Sequence, residues 1–246
     1  MSIESNVWFR AFDRTSTKRP TLLCLPHAGG SSGFFRSLSE HLADSKEIVA
    51  VQYPGRQDRL REEPLKRIPE LAATIASEAR EAMEGSIQVL GHSMGALVGF
   101  ELARMLEEDK TLRVEHLTIT NMRAPSIPAR PPYFHTLADP DFFGAVAGLG
   151  ATDPALFDDA EMARHIQGTL RVDFSAVEVY RAIGCPKVTC GVTAVVGLQD
   201  QLFTAAEVGA WRRHTTGKFR LRMYDVDHFG IYDAIPSLAA LLLEVP

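Results

Sequence analysis

Short apolar runs alternate along the chain with longer segments whose apolar positions recur every three or four residues. The short runs predict strands over residues 6–11, 21–25, 47–52, 86–90, 116–120, 192–196 and 219–224. Most are almost continuously apolar, as strands are when helices cover both faces of a sheet. The last differs: Phe219-Arg220-Leu221-Arg222-Met223 alternates, which suits an edge strand with one wet face. The longer periodic segments predict helices over 34–43, 69–83, 95–108, 205–214 and 234–243. This alternation predicts an α/β architecture with a mostly parallel sheet flanked by helices. Residues 121–191 break the rhythm. They open with Pro125, Pro128, Pro131 and Pro132, show no strand pattern, and carry helical periodicity near 140–149 and 159–182. We expect a core of residues 1–130 and 191–246, with 131–190 as a helical lid over the sheet's C-terminal edge, where open α/β sheets bind ligands. Phe142, Phe143, Val146 and Leu149 are candidates for the lid's inner face.

Composition narrows the class. The 246 residues suit one large domain with an insertion. Lys and Arg number 26 against 31 Asp and Glu, a net charge of -5 that speaks against a nucleic-acid partner. Cys24, Cys185 and Cys190 are too few for a disulfide framework and point to a reducing cytoplasm. No run of 18 apolar residues predicts a membrane span, and the N-terminus lacks a signal-peptide pattern. No metal-ligand spacing and no Gly-rich nucleotide motif is present, so neither a metal nor an organic cofactor is expected.

The chemistry concentrates at Ile87-Gln88-Val89-Leu90-Gly91-His92-Ser93-Met94-Gly95-Ala96. A strand leads into G-x-S-x-G and a helix leads out, the setting of a nucleophile elbow. The sharp turn lifts the Ser93 hydroxyl above the sheet, and Gly91 and Gly95 leave room for the turn to close. His228 is the candidate base, because it follows the last strand and completes the order Ser, Asp, His. Asp200, on the loop after the penultimate strand, is the candidate acid, with Asp225 and Asp227 as rivals by proximity. The amides of Met94 and of Ala28, in the loop Pro26-His27-Ala28-Gly29-Gly30, are candidate oxyanion donors. His92 is expected to shape the turn, and His41, His116, His135, His165 and His214 to be surface or structural residues.

Three longer stretches carry a resemblance. Pro26–Gly30, Val51-Gln52-Tyr53-Pro54-Gly55-Arg56-Gln57-Asp58-Arg59 and Gly91–Ala96 together resemble the type II thioesterases of polyketide synthase and nonribosomal peptide synthetase systems. Arg123-Ala124-Pro125, Leu170-Arg171-Val172-Asp173-Phe174 and Trp211 with Thr216-Gly217 agree, so the likeness runs from about residue 20 to 230. It implies an α/β-hydrolase fold with a helical lid, and hydrolysis of acyl thioesters from the phosphopantetheine arm of acyl or peptidyl carrier proteins. It also implies triad roles for Ser93, Asp200 and His228 and oxyanion roles for Ala28 and Met94; the oligomeric state is left open, with a monomer as one option, and composition speaks against a nucleic-acid or membrane partner. A carboxylesterase or acyltransferase on the same scaffold, or a catalytically weak carrier-protein-binding partner, remains an alternative. The chain departs from the family in carrying Asp225-Val226-Asp227 before its histidine. Carrier proteins are generally acidic, so the basic segment 211–222, which leads toward His228, is a candidate docking surface, with Lys and Arg that discourage edge-to-edge strand pairing as the alternative reading.

Overall fold

A computed structural model of the chain describes residues 3, 6–12, 19–110, 112–150 and 160–245, with side chains described from 163 onward in the last span. Seven strands form one sheet: β1 (Phe9–Ala11), β2 (Thr21–Leu25), β3 (Glu47–Val51), β4 (Ser86–His92), β5 (Arg113–Thr120), β6 (Gly191–Gly197) and β7 (Phe219–Tyr224). Their spatial order is β1-β3-β2-β4-β5-β6-β7. Only β1 runs antiparallel, against β3; the other neighbours are parallel. The chain winds outward from β2 to β3, then crosses back to β4, so the sequence of strands reverses between β2 and β4. That switch point is where an open α/β sheet leaves a crevice at its C-terminal edge.

The apolar runs serve two faces at once. Leu23, Leu25, Val49, Val51, Ile87 and Val89 face one side of the sheet, and Leu22, Cys24, Ile48, Ala50 and Leu90 face the other. Helices α2 (Ile68–Ala82) and α3 (Met94–Asp109) cover the first face; α1 (Arg36–Leu42) and α7 (Ile235–Leu243) cover the second. In α2 the buried positions Ile68, Leu71, Ala72, Ile75, Ala76 and Ala79 follow helical spacing, with Pro69 in its first turn. As expected, β7 lies at the sheet edge.

Some boundaries differ from expectation; β5, for instance, begins at Arg113 and not at 116. Residues 6–8 form a turn rather than strand, because the Asn6 side chain accepts a hydrogen bond from Trp8 N at 2.8 Å. The predicted helix 205–214 divides into α6 (Ala205–Gly209), started by a Thr204–Glu207 capping box, and a tighter 3-10 segment, Ala210–His214.

The regular elements described between 131 and 190 are helical: a 3-10 turn at Phe134–Thr136, α4 (Asp139–Ala147) and α5 (Ala160–Val179). Helix α5 crosses the C-terminal edge of the sheet. Thr169 donates to Gly55 O at 3.3 Å, and Asp173 accepts from Gly29 N at 2.7 Å while pairing with Arg56. Farther along, Arg123 donates to Val177 O at 2.8 Å, and Tyr180 donates to Glu101 of α3 at 2.5 Å. Among the described residues, no helix is long and apolar enough to cross a membrane.

Candidate active site

Ser93 sits between β4 and α3 with φ 52° and ψ -119°, a region that non-glycine residues enter at a cost of about 1–3 kcal/mol. The elbow is held by Ser93 N donating to Thr120 O at 2.9 Å and by Ala96 N donating to Ser93 O at 2.9 Å. A Cβ at Gly91 would collide with the backbone of Gly95, and one at Gly95 with Leu25 O. The two glycines are therefore required by the close approach of β4, α3 and β2.

His228 stands on the loop after β7, with its Nδ1 2.8 Å from Asp200 Oδ2. Both side chains are buried. Asp200 Oδ1 accepts from Leu202 N at 2.7 Å, so loop amides hold the carboxylate on one side and the imidazole is held on the other. The rival carboxylates are engaged elsewhere. Asp227 caps the following turn by accepting from Phe229 N and Gly230 N, and Asp225 accepts from Gln199 at 3.0 Å on the surface. With Nδ1 committed to Asp200, Nε2 is the nitrogen left for proton transfer. Among the described residues Ser93 Oγ has no hydrogen-bond partner, the loose geometry usual before substrate tightens a site.

In the loop after β2, Gly30 N donates to His27 O at 2.9 Å and Gly29 N is taken by Asp173. Ala28 N and Met94 N have no partner among the described residues, which leaves both free for an oxyanion.

The wall of the site is aromatic, and the sequence reading did not anticipate this. His27, His92 and His228 form a row, with ring centroids 5.6 Å and 5.1 Å apart, and Phe229 packs against all three. Burial first, and then the charge that His228 can carry, drive the His27 pKa down to about 3 and that of His92 well below its usual value. His92 also spends Nδ1 on Thr120 Oγ1, at 2.9 Å. It shapes the elbow, as expected, and neither neighbour competes with His228 for a proton.

A cavity of about 400 Å³ opens beside Ala28. Val146, Leu149, Ile166, Leu170 and Phe174 of segment 131–190 line it together with Phe229. Two of the expected inner-face residues, Val146 and Leu149, reach it, whereas Phe142 is packed beneath Arg171 and against Phe174. Arg56 lies at the cavity too, paired with Asp173. The pair was not foreseen, because nothing in the sequence joins partners 117 residues apart.

The basic segment is not where the reading put it. Trp211 and His214 are fully buried, and Lys218 precedes β7, at the end of the strand remote from His228. There Lys110, Arg113, Lys218 and Arg220 line a trough of about 760 Å³ on the opposite edge of the sheet. A parallel strand begins on the edge away from the ligand crevice, so closeness in sequence to His228 did not mean closeness in space.

Several known proteins resemble the chain over most of its length. A family model described as thioesterase domain matches residues 20–243. The chain is 40% identical over 234 residues to thioesterase PikA5 of Streptomyces venezuelae, covering 95% of this chain and 83% of that protein. Among solved structures, it resembles the type II thioesterase BorB from the borrelidin biosynthetic cluster, with TM-score 0.88, 36% identity and 98% of each chain covered. It also resembles YbtT, a type II thioesterase from the yersiniabactin NRPS/PKS pathway, with TM-score 0.85, 29% identity and 97% and 98% covered.

Proposed function

The chain belongs to the thioesterase family, and from that membership we propose a free-standing editing enzyme that hydrolyses acyl thioesters on the carrier proteins of polyketide or nonribosomal peptide synthases. The observation that carries the catalytic assignment is the buried Asp200–His228 pair at 2.8 Å, on the same sheet edge as the strained Ser93 elbow.

In this reading Ser93 Oγ attacks the thioester carbonyl carbon while His228 Nε2 takes its proton. Asp200 keeps Nδ1 protonated and balances the imidazolium charge. Negative charge gathers on the carbonyl oxygen between the amides of Ala28 and Met94. As the carbon–sulfur bond breaks, His228 returns the proton to the pantetheine thiol, leaving an acyl ester on Ser93. A water molecule, deprotonated by His228, then releases the acid and restores the serine. No step draws on a metal or organic cofactor, since the arm belongs to the substrate.

The acyl chain occupies the apolar cavity of about 400 Å³, which Ala28 joins to the oxyanion position. Residues 131–190 act as the lid: α5 is pinned across the loops after β2 and β3, and α4 closes the cavity with Val146. The arm to be admitted is about 20 Å long, on the order of six extended residues. The partner is an acyl or peptidyl carrier protein. A cytoplasmic setting suits three free cysteines and the absence of a long apolar helix among the described residues.

Mass spectrometry of carrier proteins loaded with different acyl groups, before and after incubation, tests the reading. Wild-type protein should strip the acyl group and leave the holo carrier, and Ser93→Ala should leave the loaded carrier intact. Equal cleavage by Ser93→Ala would remove Ser93 from the mechanism. Faster turnover of a matched oxygen ester than of the thioester would make the protein a carboxylesterase.

A further inference from the structure

We propose that Asn121 is a positioning residue for this reaction, holding the loop of His228 and the loop of Asp200 in register with Ser93. The proposal rests on the catalytic roles assigned above. Asn121 follows the last residue of β5, is fully buried, and has φ 50°, which Asn tolerates better than most side chains. Its backbone N donates to Val195 O of β6 at 2.9 Å. Its side chain is fully used. Oδ1 accepts from Gly197 N at 2.8 Å, and Nδ2 donates to His228 O at 2.5 Å and to Asp227 O at 3.3 Å. These partners fix the amide's orientation, because turning it over would set Oδ1 against two carbonyl oxygens and Nδ2 against an N–H.

The position of those partners gives the amide its role. Gly197 is the last residue of β6 and begins the loop that reaches Asp200 three positions later. His228 O is the carbonyl of the proposed base itself. The residue before Asn121 supplies the third connection, since Thr120 O accepts from Ser93 N at 2.9 Å and Thr120 Oγ1 meets His92 Nδ1 at 2.9 Å. Two consecutive residues at the tip of β5 therefore touch the segments of nucleophile, acid and base. Leu198 N to Tyr224 O, Gln199 N to Val226 O, the exposed Gln199–Asp225 bond and a Phe203–His228 ring contact also join the two segments, but among the described bonds the Asn121 amide alone reaches the His228 carbonyl. Loss of the amide would let the imidazole move relative to Ser93 while the Asp200–His228 bond persists. A displacement near 1 Å in such a site costs about a hundredfold in rate.

Asn121→Gly keeps the left-handed backbone and removes all three side-chain bonds. Asn121→Asp keeps size, backbone and the acceptor for Gly197 N, but sets a carboxylate oxygen against the carbonyls of Asp227 and His228. The assay is hydrolysis of a propionyl-pantetheine thioester well below the melting temperature, with kcat and KM measured separately. Both variants should lose about thirty- to a hundredfold in kcat with KM within about twofold. The low-field proton resonance of His228 Nδ1–H should shift but stay sharp in both, because the Asp200–His228 bond persists in altered geometry, whereas general loosening of the fold would broaden it. Either variant folding with kcat within threefold of wild type overturns the proposal. So does a loss that follows melting temperature, or appears in KM alone. If only one variant folds, its kcat and resonance decide. Wild-type turnover that persists in Ser93→Ala would instead refute the catalytic reading, so the two failures are separable.

Discussion

The contact that should govern how the lid behaves is the buried ion pair between Arg56, after β3, and Asp173 on α5. Asp173 is 1% exposed and Arg56 6%. Burial lowers the Arg56 pKa to about 10, which still leaves it charged at neutral pH. Asp173→Asn isolates the charge, because the amide oxygen can still accept from Gly29 N while the guanidinium loses its counterion. Removing one partner of a buried pair costs about 3–5 kcal/mol. Spread over the whole domain, that would lower the melting temperature by about 6–20 °C at 2–4 °C per kcal/mol. The structure offers a cheaper escape. The C-terminal end of α5 is held independently by Arg123 to Val177 O, by Tyr180 to Glu101 and by Ala182 N to Pro125 O. The variant should therefore release α4 and the middle of α5 and keep residues 177–182 in place. Amide exchange should rise about 10²- to 10³-fold over residues 139–147 and 165–174, and change little over 177–182 and in the sheet. Hydrogen-exchange mass spectrometry on wild type and variant reads this directly. The double variant Arg56→Met with Asp173→Leu removes both charges and should recover much of the loss, since apolar replacement of a buried pair is often neutral or stabilising. Unchanged exchange over 165–174 in Asp173→Asn would refute the idea that this pair clamps the lid, and so would a double variant weaker than the single one.

Three further outcomes follow from the geometry. Asp200→Asn should lower kcat by at least about a hundredfold by disturbing the His228 tautomer, whereas Asp227→Asn, whose amide oxygen can still accept from Phe229 N and Gly230 N, should leave kcat within about threefold; steady-state kinetics giving the reverse order would move the acid to the His228 loop. Ser93→Gly and Ser93→Ala should both be inactive, but denaturant unfolding should show the Gly variant about 1 kcal/mol more stable, because glycine relieves the backbone at φ 52° and alanine does not; equal stabilities would mean that the elbow stores no strain. The folded-state pKa of His27, about 3, lies below its ordinary value, so the unfolded chain takes up the proton first as pH falls. Its contribution is complete above pH 6.5 and is lost toward pH 3, about 2 kcal/mol between pH 7 and 5; His27→Phe should flatten the stability curve over that range, and an unchanged slope would show that His27 is not buried neutral.

What the sequence revealed was whatever is written locally. The strands were legible because each is a dense apolar run, and the elbow because its glycines, serine and flanking elements are consecutive. The meeting of Asp200 and His228 was legible because chain order and the C-terminal edge of the sheet jointly restrict where the proposed acid and base can stand. Residues 6–8 were misread because a single Asn side chain decides between turn and strand. Arg56 with Asp173, and Asn121 with Gly197 and His228, were invisible for another reason: their partners meet only after the sheet has formed. The basic segment was misplaced because the reading followed the chain and not the direction of β7, which carries residues 212–218 to the far edge.

Three imidazoles share one wall of the site, and the fold must give catalysis to one of them. Ring position cannot choose, since His27, His92 and His228 all lie within ring contact of Phe229. Pairing does. Only His228 has a carboxylate, and that carboxylate reaches it because Gly197, drawn to Asn121, fixes where the acid loop leaves β6. His27 and His92 are enclosed without a counterion, and a proton on His228 further discourages one on either of them. Burial keeps both of these rings neutral near pH 7, so they act as aromatic walls of the site. Burial, usually a hindrance to acid–base chemistry, here serves selectivity: two histidines held neutral take no part in proton transfer, which leaves that task to the carboxylate-paired ring proposed as the base.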